Sequence, residues 1–291
     1  MFAEPQSADG RRLGDLIESG AAWLGRRGVG DGRLLCEWLA SAALGCRRTD
    51  LPLAATPPPE VVERLREGLR RLGAGEPIQY VVGDWDFRML TLKTDKRALI
   101  PRPETEGLVS LVLEEPGVWG SGAPRICDIG TGTGAIALSL AYERPQCLVT
   151  AVDRQEAALS LARENAGRLG LASRVEFILG ENCAGAAPGT FDAIVSNPPY
   201  IESAAVDALP PLIRDHEPRT ALDGGPDGLD TLRGIIHDAA IALRRGGFLF
   251  LEIGDGQGDS VRSLMEDSGF SDVAILKDLA GLVRYARGRI E

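Results

Sequence analysis

The chain has 291 residues, 44% of them hydrophobic and 25% charged, which suits one large and one small folded domain and argues against disorder. A net charge of −10 argues against a protein whose main task is gripping phosphate backbones. No apolar run approaches the roughly 20 residues of a membrane span, and the start MFAEPQSADGRR lacks the basic end and apolar core of a secretory signal.

Five scattered cysteines (Cys36, Cys46, Cys127, Cys147, Cys183) contain no Cys-x-x-Cys pair, and the only histidines are His216 and His237. That pattern argues against a disulfide framework or a metal centre and for a reducing, cytoplasmic setting.

In chain order, Leu13, Leu16, Ile17, Trp23 and Leu24 recur at helical spacing, as do Leu34, Leu35, Trp38, Leu39 and Ala42, with Asp31 as N-cap. Val61, Val62, Leu65, Leu69 and Leu72 mark a third helix, with Pro59 in its first turn and Gly73 at its C-terminal end. Three short amphipathic helices predict a small bundle over residues 1–76. Period-two alternation over Ile78–Leu92, with Gly83-Asp84 as turn, predicts a β-hairpin linking two domains over 77–97.

Residues 98–291 alternate strand and helix. Strands are expected at Arg125–Ile129, Leu148–Val152, Val175–Leu179, Phe191–Ser196 and Phe248–Ile253. Helices are expected at Leu108–Leu113, Ala135–Tyr142, Glu156–Leu169, Leu229–Leu243 and Gly258–Ser268, with edge strands near Val273–Leu276 and Leu282–Ala286. This is the rhythm of an α/β, doubly wound, mostly parallel sheet.

The first of these strands runs into Asp128-Ile129-Gly130-Thr131-Gly132-Thr133-Gly134 at the start of a helix. Glycines allow a sharp turn and close approach of a ligand to the backbone. Such a turn suits NAD, FAD or S-adenosylmethionine. The spacing departs from Gly-x-Gly-x-x-Gly and resembles the loop of class I methyltransferases. Asp153, at the next strand end and about 20 residues on, is placed to accept hydrogen bonds from ribose hydroxyls. Asn182, after the third strand, is a candidate for the adenine edge.

Ser196-Asn197-Pro198-Pro199-Tyr200 follows the fourth strand. The nitrogen of a planar amide or exocyclic amine attacks carbon poorly because its lone pair is delocalised. Acceptors holding both N–H bonds favour the nucleophilic geometry, and the Asn197 side-chain oxygen and Pro198 carbonyl can be that pair. Consecutive prolines stiffen the loop, and Tyr200 offers an aromatic face. The motif points to amino methylation and says little about which planar nitrogen is methylated. A glutamine side chain, adenine in DNA and guanine in RNA all present one.

Further segments narrow this. Gly75-Glu76-Pro77-Ile78-Gln79-Tyr80, Leu99-Ile100-Pro101-Arg102-Pro103-Glu104-Thr105-Glu106, Glu217-Pro218-Arg219, Gly224-Gly225-Pro226-Asp227-Gly228 and Lys277-Asp278-Leu279-Ala280-Gly281 accompany the glycine turn and Asn197–Tyr200. Over most of its length the chain resembles the bacterial release-factor glutamine methyltransferases, the PrmC/HemK family. The resemblance implies a Rossmann-like, seven-stranded, S-adenosylmethionine-dependent methyltransferase domain behind a helical substrate-recognition domain, yielding S-adenosylhomocysteine as product. It implies a class 1 peptide chain release factor as partner, methylated on the glutamine of its Gly-Gly-Gln loop, with no stable binding of nucleic acid and no membrane.

By position, the resemblance assigns the cofactor to Asp128, Gly130, Thr131, Gly132, Thr133, Gly134, Asp153, Asn182 and Asn197, and catalysis to Asn197, Pro198, Pro199 and Tyr200. Arg102, Glu104 and Thr105 fall at the mouth of the site. Relatives commonly carry Asp and a bulky residue where Glu181-Asn182 stand here, and a more polar pair in place of Leu282-Val283. Competing readings are a glutamine methyltransferase of a ribosomal protein, an adenine or guanine amino-methyltransferase, and a non-catalytic cofactor-binding module. Ile201–Gly228, long for a connection, is expected to form part of a substrate groove and to be more mobile than the sheet.

Overall fold

The computed structural model describes residues 10–120, 122–183 and 185–291. Most of the N-terminal stretch read for a secretory signal, residues 1–9, lies outside them. The chain divides into two compact units: one holds the described residues up to Asp84 together with Pro210–His216, the other Trp85–Leu209 and Glu217–Glu291.

In the first unit α1 (Leu13–Gly25), α2 (Gly32–Leu44) and α3 (Pro59–Gly73) form where the apolar spacing predicts them, Pro59 and Gly73 included. They bury Leu13, Ile17, Leu24, Leu39, Leu65 and Leu72 in one core. Two glycines let the helices approach closely. A Cβ on Gly68 would lie 2.6 Å from Leu39 Cδ2, and one on Gly20 2.9 Å from Cys36 Sγ.

Two local expectations fail. Asp31 precedes α2 with φ 53 and makes no side-chain cap, because a left-handed backbone is not the extended conformation from which a cap side chain reaches back. Ile78–Val82 is a one-turn helix, α4, and not a strand. Five residues cannot distinguish period two from a helical turn. Pro77 opens the turn and Gly83, at φ +79, closes it. The Arg71 guanidinium holds it, donating to the Tyr80 carbonyl at 2.9 Å and pairing with Glu76 at 2.6 Å.

The hairpin therefore begins later, as β1 (Asp84–Phe87) and β2 (Leu90–Lys93) around Arg88-Met89. Its inward residues Phe87, Leu90 and Leu92 join the core of the second unit. Asn165 pins β2, accepting from Lys93 N at 2.7 Å and donating to Lys93 O at 3.1 Å.

Helices α5 (Pro103–Glu114) and α6 (Pro116–Trp119) then lead into the alternation. It runs β3 (Arg125–Ile129), α7 (Ala135–Glu143), β4 (Leu148–Asp153), α8 (Glu156–Arg168), β5 (Val175–Leu179) and β6 (Phe191–Ser196). After the short turns α9 (Ser203–Val206) and α10 (Pro211–Arg214) come α11 (Asp230–Ala242), β7 (Leu243–Glu252), α12 (Gly258–Asp267), β8 (Phe270–Lys277) and β9 (Val283–Ile290).

The seven-stranded sheet has the order β5-β4-β3-β6-β7-β9-β8. Pairing is parallel from β5 through to β7, and β9 runs antiparallel to both its neighbours. Apolar residues of α5 and α7 cover one face, and those of α11 and α12 cover the other. Strand order reverses between β3 and β6, so a crevice opens at their carboxyl ends, where doubly wound sheets bind ligands. All five cysteines are free thiols, and no described helix is long and apolar enough to cross a membrane.

Candidate active site

A cavity of about 430 Å³ occupies this crevice, within the size range of small-molecule sites. The turn after β3 forms its floor. Gly130 N and Thr131 N both donate to the Val152 carbonyl, at 2.8 and 3.0 Å, which locks the turn onto β4. Gly130, Gly132 and Gly134 take φ +71, +57 and +85, a left-handed backbone that favours glycine. A Cβ on Gly130 would meet no protein atom within 4 Å, so the space beside it belongs to the cavity.

Asp128 stands behind the turn and does not line the cavity. Fully buried, it accepts from the Thr131 hydroxyl at 2.7 Å and from Ala137 N at 3.0 Å. Burial pushes its carboxyl up to about 7 against those two hydrogen bonds. Gly134 likewise sits behind the lining, with room beside it for no side chain: a Cβ would lie 2.9 Å from Leu138 Cδ1. Asn165, which the sequence reading missed, donates to the Thr133 carbonyl at 2.9 Å and so ties the turn to α8 and the hairpin.

Asp153 does line the cavity. One of its oxygens accepts from Gly132 N at 3.0 Å and the other from Gln155 N at 2.9 Å. Its pKa is raised, chiefly by burial. Asn182 lines the cavity too, at φ 46, with its side-chain nitrogen donating to Asp238 Oδ2 at 2.9 Å.

After β6, which pairs with β3, Asn197, Pro198 and Pro199 line the same cavity. Ser196 Oγ donates to the Ile129 carbonyl at 2.7 Å, clamping the end of β6 to that of β3. Asn197 Nδ2 donates to Thr105 Oγ1 at 2.9 Å, and Thr105 Oγ1 donates to Glu252 Oε2 at 2.8 Å. Tyr200 is not in the cavity lining. Its hydroxyl donates to Glu252 Oε1 at 3.4 Å, and its carbonyl accepts from Gln257 Nε2 at 3.0 Å. Burial, reinforced by the Glu252 charge, pushes the Tyr200 phenol up to about 12.

At the rim, Arg102 and Thr105 line the cavity and Glu104 does not. The Glu104 carbonyl accepts from the Tyr285 hydroxyl at 2.7 Å. Arg102 is ion-paired with Glu217, a buried carboxylate that also accepts from Ile100 N at 3.2 Å. That contact, with Arg154 donating to Thr220 O at 3.0 Å, seats Pro218, Thr220 and Ala221 along the rim.

Glu252 and Gln257 escaped the sequence reading, and Glu217 entered it only as part of the Glu217-Pro218-Arg219 segment, without a role. Glu252 had a legible signal, a carboxylate ending the apolar run Phe248-Leu249-Phe250-Leu251 at the carboxyl end of β7. Gln257 lies in a loop and had none, and nothing in the Glu217-Pro218-Arg219 segment shows that Glu217 pairs with Arg102.

Family models match in two places: a PrmC N-terminal domain over residues 15–83 and a methyltransferase small domain over 111–217. The chain is similar to the release factor glutamine methyltransferase of Geobacter sulfurreducens, 39% identical over 270 residues that cover 92% of this chain and 93% of that protein. It is also similar to the release factor glutamine methyltransferase of Moorella thermoacetica, 46% identical over 224 residues, 77% of this chain and 78% of that one. Among solved structures, a methyltransferase from Pyrococcus furiosus shares the fold with a TM-score of 0.51 at 22% identity, over 69% of this chain and 88% of that one.

Proposed function

The chain belongs to the family of release factor glutamine methyltransferases, and from that premise we propose its reaction. It transfers the methyl group of S-adenosylmethionine to the side-chain nitrogen (N5) of the glutamine in the Gly-Gly-Gln motif of class 1 peptide chain release factors. The observation that carries this reading is one cavity lined by two unlike sets of residues. The glycine turn after β3 stands between Asp153 at the end of β4 and Asn197 with the two prolines after β6, and all of these line it.

The cavity residues fit the cofactor. Asp153 is a buried acceptor at the strand end where a nucleoside ribose is held. The uncovered backbone at Gly130 leaves room for the ligand to lie against the turn. Asn182, which gives one N–H to Asp238, has an oxygen that would accept from the exocyclic amine of adenine. When bound, S-adenosylmethionine supplies an electrophilic methyl group.

Asn197 Oδ1 and the Pro198 carbonyl then accept from the two N–H bonds of the glutamine amide, which favours a pyramidal, nucleophilic nitrogen. The rigid loop would hold that nitrogen in the cavity where the bound cofactor would supply its methyl group, and positioning with aimed dipoles would supply the rate. Neither acceptor is a base, so the amide proton leaves to solvent.

The test is transfer of labelled methyl from S-adenosylmethionine to a purified release factor, with duplex DNA and rRNA in parallel, followed by peptide mapping. Label on the Gly-Gly-Gln glutamine is the expected result. Label on nucleic acid alone would refute the protein substrate and leave only amino methylation.

A further inference from the structure

An asparagine amide has nearly the same shape after a half-turn about its last bond, but the turn exchanges an acceptor for a donor. The proposed chemistry works in only one of the two states. With Oδ1 toward the substrate, Asn197 accepts from the glutamine N–H. With Nδ2 there, donor faces donor and the pair repels. Something in the protein has to choose.

The choice is visible in the hydrogen-bond valences behind Asn197. Thr105 Oγ1 has one proton, and it goes to Glu252 Oε2 at 2.8 Å. Toward Asn197 the hydroxyl can therefore only accept, which it does from Nδ2 at 2.9 Å. Glu252 Oε1 is the acceptor for the Tyr200 hydroxyl. Thr105 is 4% and Glu252 2% exposed, so bulk water does not compete for these bonds. Thr105 stands in the first turn of α5 and Glu252 at the carboxyl end of β7. Both are rigid supports.

Resting on the proposed glutamine N-methylation, we propose that Thr105 and Glu252 are positioning residues that fix the Asn197 amide with its oxygen toward the substrate nitrogen. The chain of direction runs from an ionised Glu252, which only accepts, through Thr105 to Asn197. A protonated Glu252 can instead donate to Thr105, which frees the threonine proton for Asn197 Oδ1 and admits the flipped amide. Burial pushes the Glu252 carboxyl up to about 7, with the Glu104 charge reinforcing it. The Thr105 and Tyr200 hydroxyls and the charge of Arg284 oppose the rise. Tyr285 on β9 lies within electrostatic range as well. The directional state is therefore sensitive to pH close to neutrality.

The experiment compares wild type with Thr105→Val, Thr105→Ser and Glu252→Gln. Valine matches the shape of threonine and removes only the hydroxyl, and melting temperatures report whether each variant folds. In Thr105→Val, kcat for release-factor methylation is expected to fall about tenfold or more, the scale of a lost hydrogen bond to a charged network. KM for the release factor and Kd for S-adenosylmethionine should change less than about threefold, since uniform binding is untouched. Thr105→Ser should recover most of kcat. The wild-type profile of kcat against pH should show an acid limb near neutrality that is absent from Glu252→Gln.

A second readout needs no substrate. The Asn197 side-chain N–H protons, followed by ¹⁵N NMR, should exchange slowly with water in wild type and lose that protection in Thr105→Val. Wild-type kcat in Thr105→Val, an equal loss of cofactor binding, an unchanged acid limb in Glu252→Gln or unprotected Asn197 protons in wild type would each overturn the proposal. A wild type that leaves release factor unlabelled but keeps protected Asn197 protons refutes the substrate and supports the fixed amide.

Discussion

The Arg102 guanidinium reaches across to the Glu217 carboxylate, whose side chain is 1% exposed and whose second oxygen takes the Ile100 amide. This pair joins the Ile-Pro-Arg-Pro turn to the segment between β6 and α11, and both border the cavity. Glu217 is buried while the Arg102 side chain is 31% exposed, so Glu217→Ala, which also takes the acceptor from the Ile100 amide, should cost about 1–3 kcal/mol of stability. It should also free the rim. In wild type, amides of Asp207–Asp215 are expected to exchange faster than those of Phe191–Ser196, whose bonds lie in the sheet. In Glu217→Ala the fast exchange should extend through Arg219–Asp223. Exchange across Asp207–Asp215 as slow as in β6 would show the segment to be as rigid as the sheet.

Asn197→Ala removes the acceptor proposed to touch the substrate nitrogen while leaving the glycine turn and Asp153 in place. Methyl transfer should fall by roughly 10²-fold or more, the scale of losing one preorganised polar group aimed at the reacting centre. Binding of S-adenosylmethionine, measured by calorimetry, should change little. Equal loss of both would mean that Asn197 serves mainly to hold the cofactor.

Two buried carboxyls make stability depend on pH in an unusual direction. Asp128 and Glu252 are both raised to about 7 by burial, from ordinary values of about 4 in the unfolded chain. Between those limits the native state binds more protons than the unfolded one, so their contribution is full below about pH 4 and lost as pH rises through 7. For these two groups the protein is more stable at pH 5.5 than at pH 8. Asp128→Asn cannot titrate and should flatten the dependence of melting temperature on pH over that window. A slope as steep as that of wild type would show that Asp128 is not its source.

The main elements were legible because their signals are local. β3, β5, β6 and α3 carry their limits in runs of apolar residues and in terminal Pro and Gly, and the structure places them where those signals stand. The cofactor-side turn was legible for the same reason, since three glycines before a helix have few other uses. What stayed hidden is whatever depends on who faces whom. Ile78–Val82 reads equally as strand or helical turn until Pro77, Gly83 and Arg71 are seen to close it. Asp128 and Tyr200 belong to motifs that point at the cavity, yet they stand behind it as supports. Glu217 and Glu252 act through partners more than 100 residues away, and no periodicity records such pairings.

Gly224 offers the sharpest test that the loop carrying Asn197 works by position. A Cβ there would lie 2.7 Å from the Pro199 carbonyl oxygen, 2.8 Å from the Gly228 carbonyl oxygen and 2.9 Å from Tyr200 Cα. All three are backbone atoms, so none can move aside as a side-chain end would. Gly224→Ala must therefore push the Pro199-Tyr200 backbone and shift Asn197 from its place in the cavity lining. Overpacking of this kind typically costs about 1–3 kcal/mol, and a displacement near 1 Å in a catalytic group can cost about 10²-fold in rate. The expected outcome is a lower melting temperature with a larger fall in kcat than in cofactor affinity. Gly167→Ala is the matched control. It lies within α8, where a Cβ meets nothing within 4 Å, so the change should be neutral or stabilising by about 0.5–1 kcal/mol. Normal turnover in a folded Gly224→Ala protein would mean that the loop can shift without losing its alignment, and the positional account of catalysis would fall.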